Sequence, residues 1–416
     1  MNNYETKLLH KGRRKRKRTE ARKNFVKIIF CVFVSILLLI AISISAFVFL
    51  DIKKSKNELK ILTEENLVNQ VEVEKGRSIN LSTFGTGTRH TIVPIADIGV
   101  QDFTVHLKHL FNDAQKDVTV ALMDRAGNGV SEDSKKEQTV EQIISDYKTA
   151  LINAGLNAPY VLVTNGFGGV YATYWANTYP EDIEGIVYLQ GTPIIKDTNP
   201  ALVEPDTNND LLQMKLGFYR LSDNKVYNFP SKILNNQESE CSRYLNLAGY
   251  TSKAQISEAT LMEHNYKVVA ETMKQNTIPK IYVSSLPSIR TVEEAEKYIK
   301  HKNEINAVRG LPPLCENVEN EAVLNEATKQ LMKTGSKELE EKIKPFVESL
   351  GNCLLTEIPG DTKIYEQKPG SLPGLFTDFL LHLEGENAIV APMYEDENMI
   401  KWEKYRDSHD IQNKKE

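Results

Sequence analysis

The chain has 416 residues, 41% of them hydrophobic and 26% charged, with a formal net charge of −5 at pH 7. Such a balance excludes a fibrous or wholly disordered protein and leaves room for one large domain or two ordinary ones. The charge is uneven: residues 1–50 hold 11 of the 51 Lys and Arg and 2 of the 56 Asp and Glu, so the rest carries 40 basic against 54 acidic side chains, a net of −14. An acidic main domain argues against a nucleic-acid partner.

Residues 1–24 form a basic tail, with Lys11, Arg13, Arg14, Lys15, Arg16, Lys17 and Arg18 clustered. The run 25–50, FVKIIFCVFVSILLLIAISISAFVFL, holds a single charge, Lys27. About 20 apolar residues suffice for a helix to cross a bilayer, whereas the apolar core of a cleaved signal peptide is shorter. The run is therefore expected as an uncleaved transmembrane signal-anchor helix. Flanking Lys and Arg stay cytoplasmic. A single-pass protein of the cell membrane follows, with a cytoplasmic N-terminus and an extracellular main domain. Membrane lipid is then a partner through the anchor, and the basic tail suits anionic headgroups. The Lys-, Asn- and Ile-rich usage is compatible with a bacterial source.

Polar residues 51–76 are expected as a helical stalk, and the folded domain as 77–384. Two strands are expected within 78–99, turned at Gly85 and Gly87, followed by a helix over 103–114 and a strand over 118–124. An amphipathic helix spans 139–155 and stops at Gly155. Strands at 160–163 and 186–189 flank a helix over 170–179. Such alternation predicts a parallel sheet covered on both faces. Asn-rich helical pieces over about 197–275 interrupt it as a cap. A strand over 278–285, helices over 292–350, a strand from Cys353 and a helix over 372–383 complete the domain. The acidic tail 385–416 is expected to be partly disordered. Cys31 lies in the span, and Cys241, Cys315 and Cys353 form no recognisable disulfide framework or metal spacing.

The segment VLVTNGFGGVYA (161–172) has the strand, tight turn and helix of a nucleophile elbow, written Gly-x-Ser-x-Gly. Here the five positions read Thr164, Asn165, Gly166, Phe167, Gly168. DRAGNGVSE (124–132) resembles the loop after the fourth strand of α/β-hydrolases, and the segments 139–155 and 159–189 resemble the next helix, elbow and strand. The likeness runs from about Thr91 to Thr192 and resembles the proline iminopeptidase and esterase-like branch of that superfamily. It implies an α/β-hydrolase fold: a mostly parallel central sheet, helices on both faces and a helical cap, here preceded by one transmembrane helix.

The same resemblance locates the departures. The nucleophile position falls on Gly166. The loop that carries the family's histidine reads IPGDTKIYEQKP and offers Thr362 or Lys363. The oxyanion turn reads Ala96, Asp97, Ile98, Gly99, where a carboxylate at Asp97 opposes a developing oxyanion. Without hydroxyl or imidazole there is no acyl-enzyme and no general base. Glycine relieves the strain of an elbow, so chemistry is lost and architecture kept. Asp124 is expected to be structural, His106 and His109 to be surface residues rather than metal ligands, and Ser131, Ser284 and Ser285 to be ordinary loop serines.

The expectation is a pseudohydrolase that binds, scaffolds or regulates at the cell surface, without cofactor or metal. Its ligand pocket, for a small molecule or a protein, is expected beneath the cap around Ala96, Asp97, Ile98, Gly99, Asn165, Gly166, Phe167, Gly168 and Lys363. The alternative is an active envelope hydrolase of esters or peptides that uses non-standard catalytic residues.

Overall fold

A computed structural model describes residues 3–112, 114–221, 234–285, 291–309, 312–358, 363–367 and 372–385. Helix α1 (Asn3–Glu64) carries the apolar run and is long and apolar enough to cross a membrane. The expected stalk is not a separate segment. Leu62 and Leu67 are buried in the domain, and strand β1 (Gln70–Glu74) pairs antiparallel with β2 (Arg77–Phe84). The expected helix over 51–76 holds as far as Glu64, the end of α1; from Gln70 it gives way to β1, where pairing with β2 and burial of Val71 override the local preference.

Six more strands follow: β3 (His90–Ile95), β4 (Val118–Met123), β5 (Tyr160–Gly166), β6 (Ile183–Gly191), β7 (Asn276–Ser284) and β8 (Gly351–Glu357). The sheet order is β1-β2-β4-β3-β5-β6-β7-β8, antiparallel at its first two pairings and parallel elsewhere. The two strands expected within 78–99 therefore do not pair with each other, because β4 lies between them.

Helices α2 (Phe103–Leu110), α3 (Val140–Asn153) and α4 (Gly168–Thr178) alternate with the strands. α3 begins where the Thr139 hydroxyl accepts the Gln142 amide, a capping bond that ends the preceding loop. Between β6 and β7 lie α5 (Asn208–Lys215), a 3-10 turn (Phe218–Leu221), α6 (Asn236–Ala248), α7 (Lys253–Thr260) and α8 (Met262–Thr272). Between β7 and β8 lie α9 (Val292–Arg309), α10 (Glu321–Glu338) and α11 (Lys344–Ser349), and α12 (Ile364–Gln367) and α13 (Leu372–Leu383) follow β8. Residues 222–233 of the expected cap and 386–416 of the expected tail lie outside the described residues.

Successive residues of a strand point to opposite faces. Tyr160 and Leu162 thus join one apolar layer with Tyr147 of α3 and Trp175 of α4. Val161 and Val163 join the other with Phe103 of α2, Phe376 and Phe379 of α13, and Leu62 of α1. Burial on both faces explains why β5 reads as a continuous apolar run. β3 has β4 on one side and β5 on the other, so the chain reverses direction across the sheet there. The carboxyl ends of β3 and β5, where the strand order reverses, are the usual ligand position in open α/β sheets.

Candidate functional site

Two turns meet there, one after β3 and one after β5. β5 ends on Gly166 at φ 51°, in the left-handed region, and Phe167 returns to helical dihedrals as α4 begins. This is the sharp strand-to-helix bend of an elbow, and glycine adopts its dihedrals without strain. A Cβ on Gly166 would stand 2.1 Å from Asp97 Oδ2 and 2.2 Å from its Cγ. The space a nucleophile would enter is filled by the Asp97 carboxylate. On Gly168 a Cβ would stand 2.0 Å from the Ile95 carbonyl oxygen, so helix and strand approach too closely for any side chain there.

The other oxygen of Asp97 is equally placed. Oδ1 accepts the Phe167 amide at 2.8 Å and the Ile98 amide at 2.8 Å. An oxyanion hole is built from the amide after the nucleophile and one from the loop after β3. Both donors here point at an internal carboxylate. Burial pushes the Asp97 pKa above its ordinary value, against the pull of the two amides and of Arg125.

Arg125 fixes the turn that carries Asp97. Its Nη1 donates to Ala96 O at 2.8 Å and its Nη2 to Asp97 O at 3.0 Å, and its Nε lies 2.8 Å from Glu258 Oε1 on α7. Tyr171 of α4 donates its hydroxyl to Glu258 Oε1 at 2.9 Å, and the guanidinium lies over its ring. Both charged side chains are buried. A buried pair is costly to break at one end because the other charge is left uncompensated. The cap helix α7, the loop after β4 and the oxyanion turn are thereby tied together.

Asp124 is likewise internal. Its Oδ2 accepts Asn80 Nδ2 at 2.9 Å, Ser131 Oγ donates to its carbonyl at 2.8 Å, and burial raises its carboxyl to about 7. Ser131 also accepts the Asn80 amide, so this serine fastens the loop to β2. Ser285 donates through N and Oγ to Gln190 Oε1, and Ser284 is buried in β7. Asn165 is buried, with Nδ2 donating to Leu189 O at 3.0 Å. Lys363 pairs with Glu366 at 3.0 Å on a half-exposed side chain, and Thr362 lies outside the described residues.

His106 is buried, against the surface position expected for it. Its Nε2 lies 3.6 Å from Asp102 Oδ2 and 3.8 Å from Glu366 Oε1. Asp102 Oδ2 also accepts Ser242 Oγ of α6 at 2.5 Å. Burial alone would raise the Asp102 pKa, yet His106, Lys363 and Ser242 outweigh it and hold the carboxyl below its ordinary range. The spacing of Asp102 and His106, four residues apart at the start of α2, was the one local signal of this cluster. Its other members come from the cap and from the chain after β8. His109 is partly exposed and meets Glu238 at 3.1 Å.

Of the expected pocket residues, Ala96 lines a small internal void of about 10 Å³ shared with Gln101, Asp124, Arg125, Asn128 and Tyr147. That volume holds about one water. Among the described residues no three His, Cys, Asp or Glu side chains group as metal ligands, and the four cysteines are free thiols.

No protein-family model matches the chain. It is 27% identical over 231 residues to the uncharacterized protein YbdG of Bacillus subtilis (strain 168), covering 54% of this chain and 70% of that one. Over 122 residues it is 31% identical to the uncharacterized protein YqjL of the same organism, covering 28% of this chain and 47% of that one. Among solved structures it is similar to the haloalkane dehalogenase DatA from Agrobacterium tumefaciens C58, at 11% identity, 76% of this chain, 96% of that chain and a TM-score of 0.45. The strand order, the elbow between β5 and α4, and the facing amides of Ile98 and Phe167 make this an α/β-hydrolase fold.

Proposed function

We propose that this chain is a membrane-anchored α/β-hydrolase-like protein that does not hydrolyse by the Ser-His-Asp route and that binds, scaffolds or regulates at the cell surface. Its N-terminus is cytoplasmic and its main domain extracellular in this proposal, and its ligand, a small molecule or a protein, enters beneath the cap. One observation carries it. The Asp97 carboxylate accepts the Phe167 amide of the elbow and the Ile98 amide of the turn after β3, and it occupies the space of any side chain at 166. Loss of a single oxyanion donor slows acyl transfer roughly 10²–10³-fold. Here both donors are already paired to an acid, and the elbow bears no attacking atom. The charge asymmetry about the apolar helix supports the orientation.

Full-length protein in detergent, offered short-chain p-nitrophenyl esters and a fluorophosphonate probe, is expected to give neither turnover above buffer nor a covalent adduct. Labelling that disappears when one serine is changed would establish an active envelope hydrolase with non-standard residues instead.

A further inference from the structure

The apolar helix is gripped by the cap at the level where its apolar run ends. Phe47, Asp51, Ser55, Glu58 and Leu62 recur at spacings of four, four, three and four, which places them on one face of an α-helix. The 3-10 turn Phe218–Leu221 covers the first four. The ring of Phe218 packs 5.4 Å from that of Phe47. Tyr219 donates its hydroxyl to Asp51 Oδ1 at 3.1 Å. Arg220 pairs with Asp51, donates to Ser55 Oγ at 2.7 Å and holds both oxygens of Glu58 at 2.7 and 2.8 Å. The Arg220, Asp51 and Glu58 side chains keep only 9, 13 and 14% of their exposure, so the cluster is desolvated rather than a surface pair. Leu62, one turn further on, is in the domain core.

This clasp fixes the height of the cap. Phe47 lies inside the apolar run 25–50, so its contact with Phe218 carries the cap turn to the depth of the last apolar helical turn. The turn ends on Leu221, 72% exposed, and α5, which leads into it, presents Leu212 at 52% exposed. Exposed leucines beside charged residues suit the boundary between headgroups and acyl chains, where an apolar face is buried and a polar one stays wet. Lys53, Lys54 and Lys56, one turn beyond the run on α1, add cations at headgroup level.

We infer that the cap turn Phe218–Leu221 dips into the outer interfacial layer of the bilayer that α1 spans, with Leu221 as its lipid contact. The occupant of this apolar surface is lipid, because the surface is continuous with the membrane helix through the Phe47–Phe218 contact. The inference rests on α1 spanning the membrane. The cap then faces the bilayer, held there by an unbroken helix instead of a flexible tether.

The test uses full-length protein in phosphatidylcholine vesicles whose acyl chains are brominated near the headgroup. Leu221→Trp, Phe47→Trp and Ile152→Trp are compared after subtraction of the parent's own tryptophan emission. Ile152 is exposed on α3, on the opposite face of the sheet. Bromine is expected to quench the Trp at 221 and the Trp at 47 at least two-fold more than the Trp at 152. If Trp at 47 is quenched and Trp at 221 matches Trp at 152, the cap does not touch lipid and the inference is overturned. If Trp at 47 also goes unquenched, the spanning placement itself is wrong and the inference falls with it. Adding Arg220→Ala to Leu221→Trp should lower the quenching by opening the clasp; unchanged quenching would show that Arg220 does not set the cap's depth.

Discussion

At the scale of single residues, Asp97 and Gly166 are two halves of one arrangement. A carboxylate can rest against the elbow amides only when residue 166 has no Cβ, and a glycine at the tip leaves those amides needing an acceptor. Buried amides without an acceptor cost about 1–3 kcal/mol each, so the acid is part of the fold's accounting of hydrogen bonds. Gly166→Ser should therefore destabilise by about 1–3 kcal/mol, from the left-handed dihedral and the clash with Asp97. Gly166→Ser combined with Asp97→Gly should recover part of that loss, because the serine methylene then enters vacated space. Chemical denaturation of the two singles and the double measures the coupling. Simple additivity would mean that the two residues do not compete for the same volume.

At the scale of elements, His90 ties three of them together. It begins β3, meets Glu184 of β6 through Nδ1 at 3.0 Å and reaches Glu384, just after α13, through Nε2 at 3.2 Å. The hydrogen bond that His90 donates to Glu184, with both carboxylate charges, raises its pKa above the ordinary value against the opposing effect of burial. The charged imidazolium is favoured in the folded chain. This contribution is fully present below about pH 6.5 and is lost as pH rises through the higher folded value. The urea midpoint of the parent is expected to fall over that window, while His90→Gln shows a flatter profile. Equal slopes in the two proteins would remove His90 as the linkage.

Elements also show what could be read in advance. The run from β4 to β6 was legible because its signals are local: apolar strands, a period of 3.6 in α3 and the small-residue turn at 166–169. β1 was not legible, since QVEVE becomes a strand only through β2. His106 read as a surface residue because the partners that bury it, Glu366 and the cap around Ser242, lie far along the chain. The acid in the oxyanion turn was visible in the sequence and its repulsive effect could be argued. Its seat against Phe167 was not, because Arg125 and Glu258 aim that turn from two other segments.

At the scale of the whole molecule, a helix long and apolar enough to cross a membrane, a sheet whose elbow amides are filled by Asp97, and a cap turn that clasps the helix through Arg220 are joined by direct contacts. α1 runs without a break from the apolar stretch to Leu62, which is buried in the domain core. The proposed loss of hydrolase chemistry turns on a few ångströms at the elbow, where Asp97 meets the Phe167 and Ile98 amides. A crystal structure of the domain at better than about 2 Å resolves it directly, since hydrogen-bond lengths distinguish the alternatives. The Asp97 carboxylate is expected within hydrogen-bond reach of both the Phe167 and Ile98 amides. Density that turns Asp97 to solvent and leaves those two amides on a water or a bound anion would contradict it.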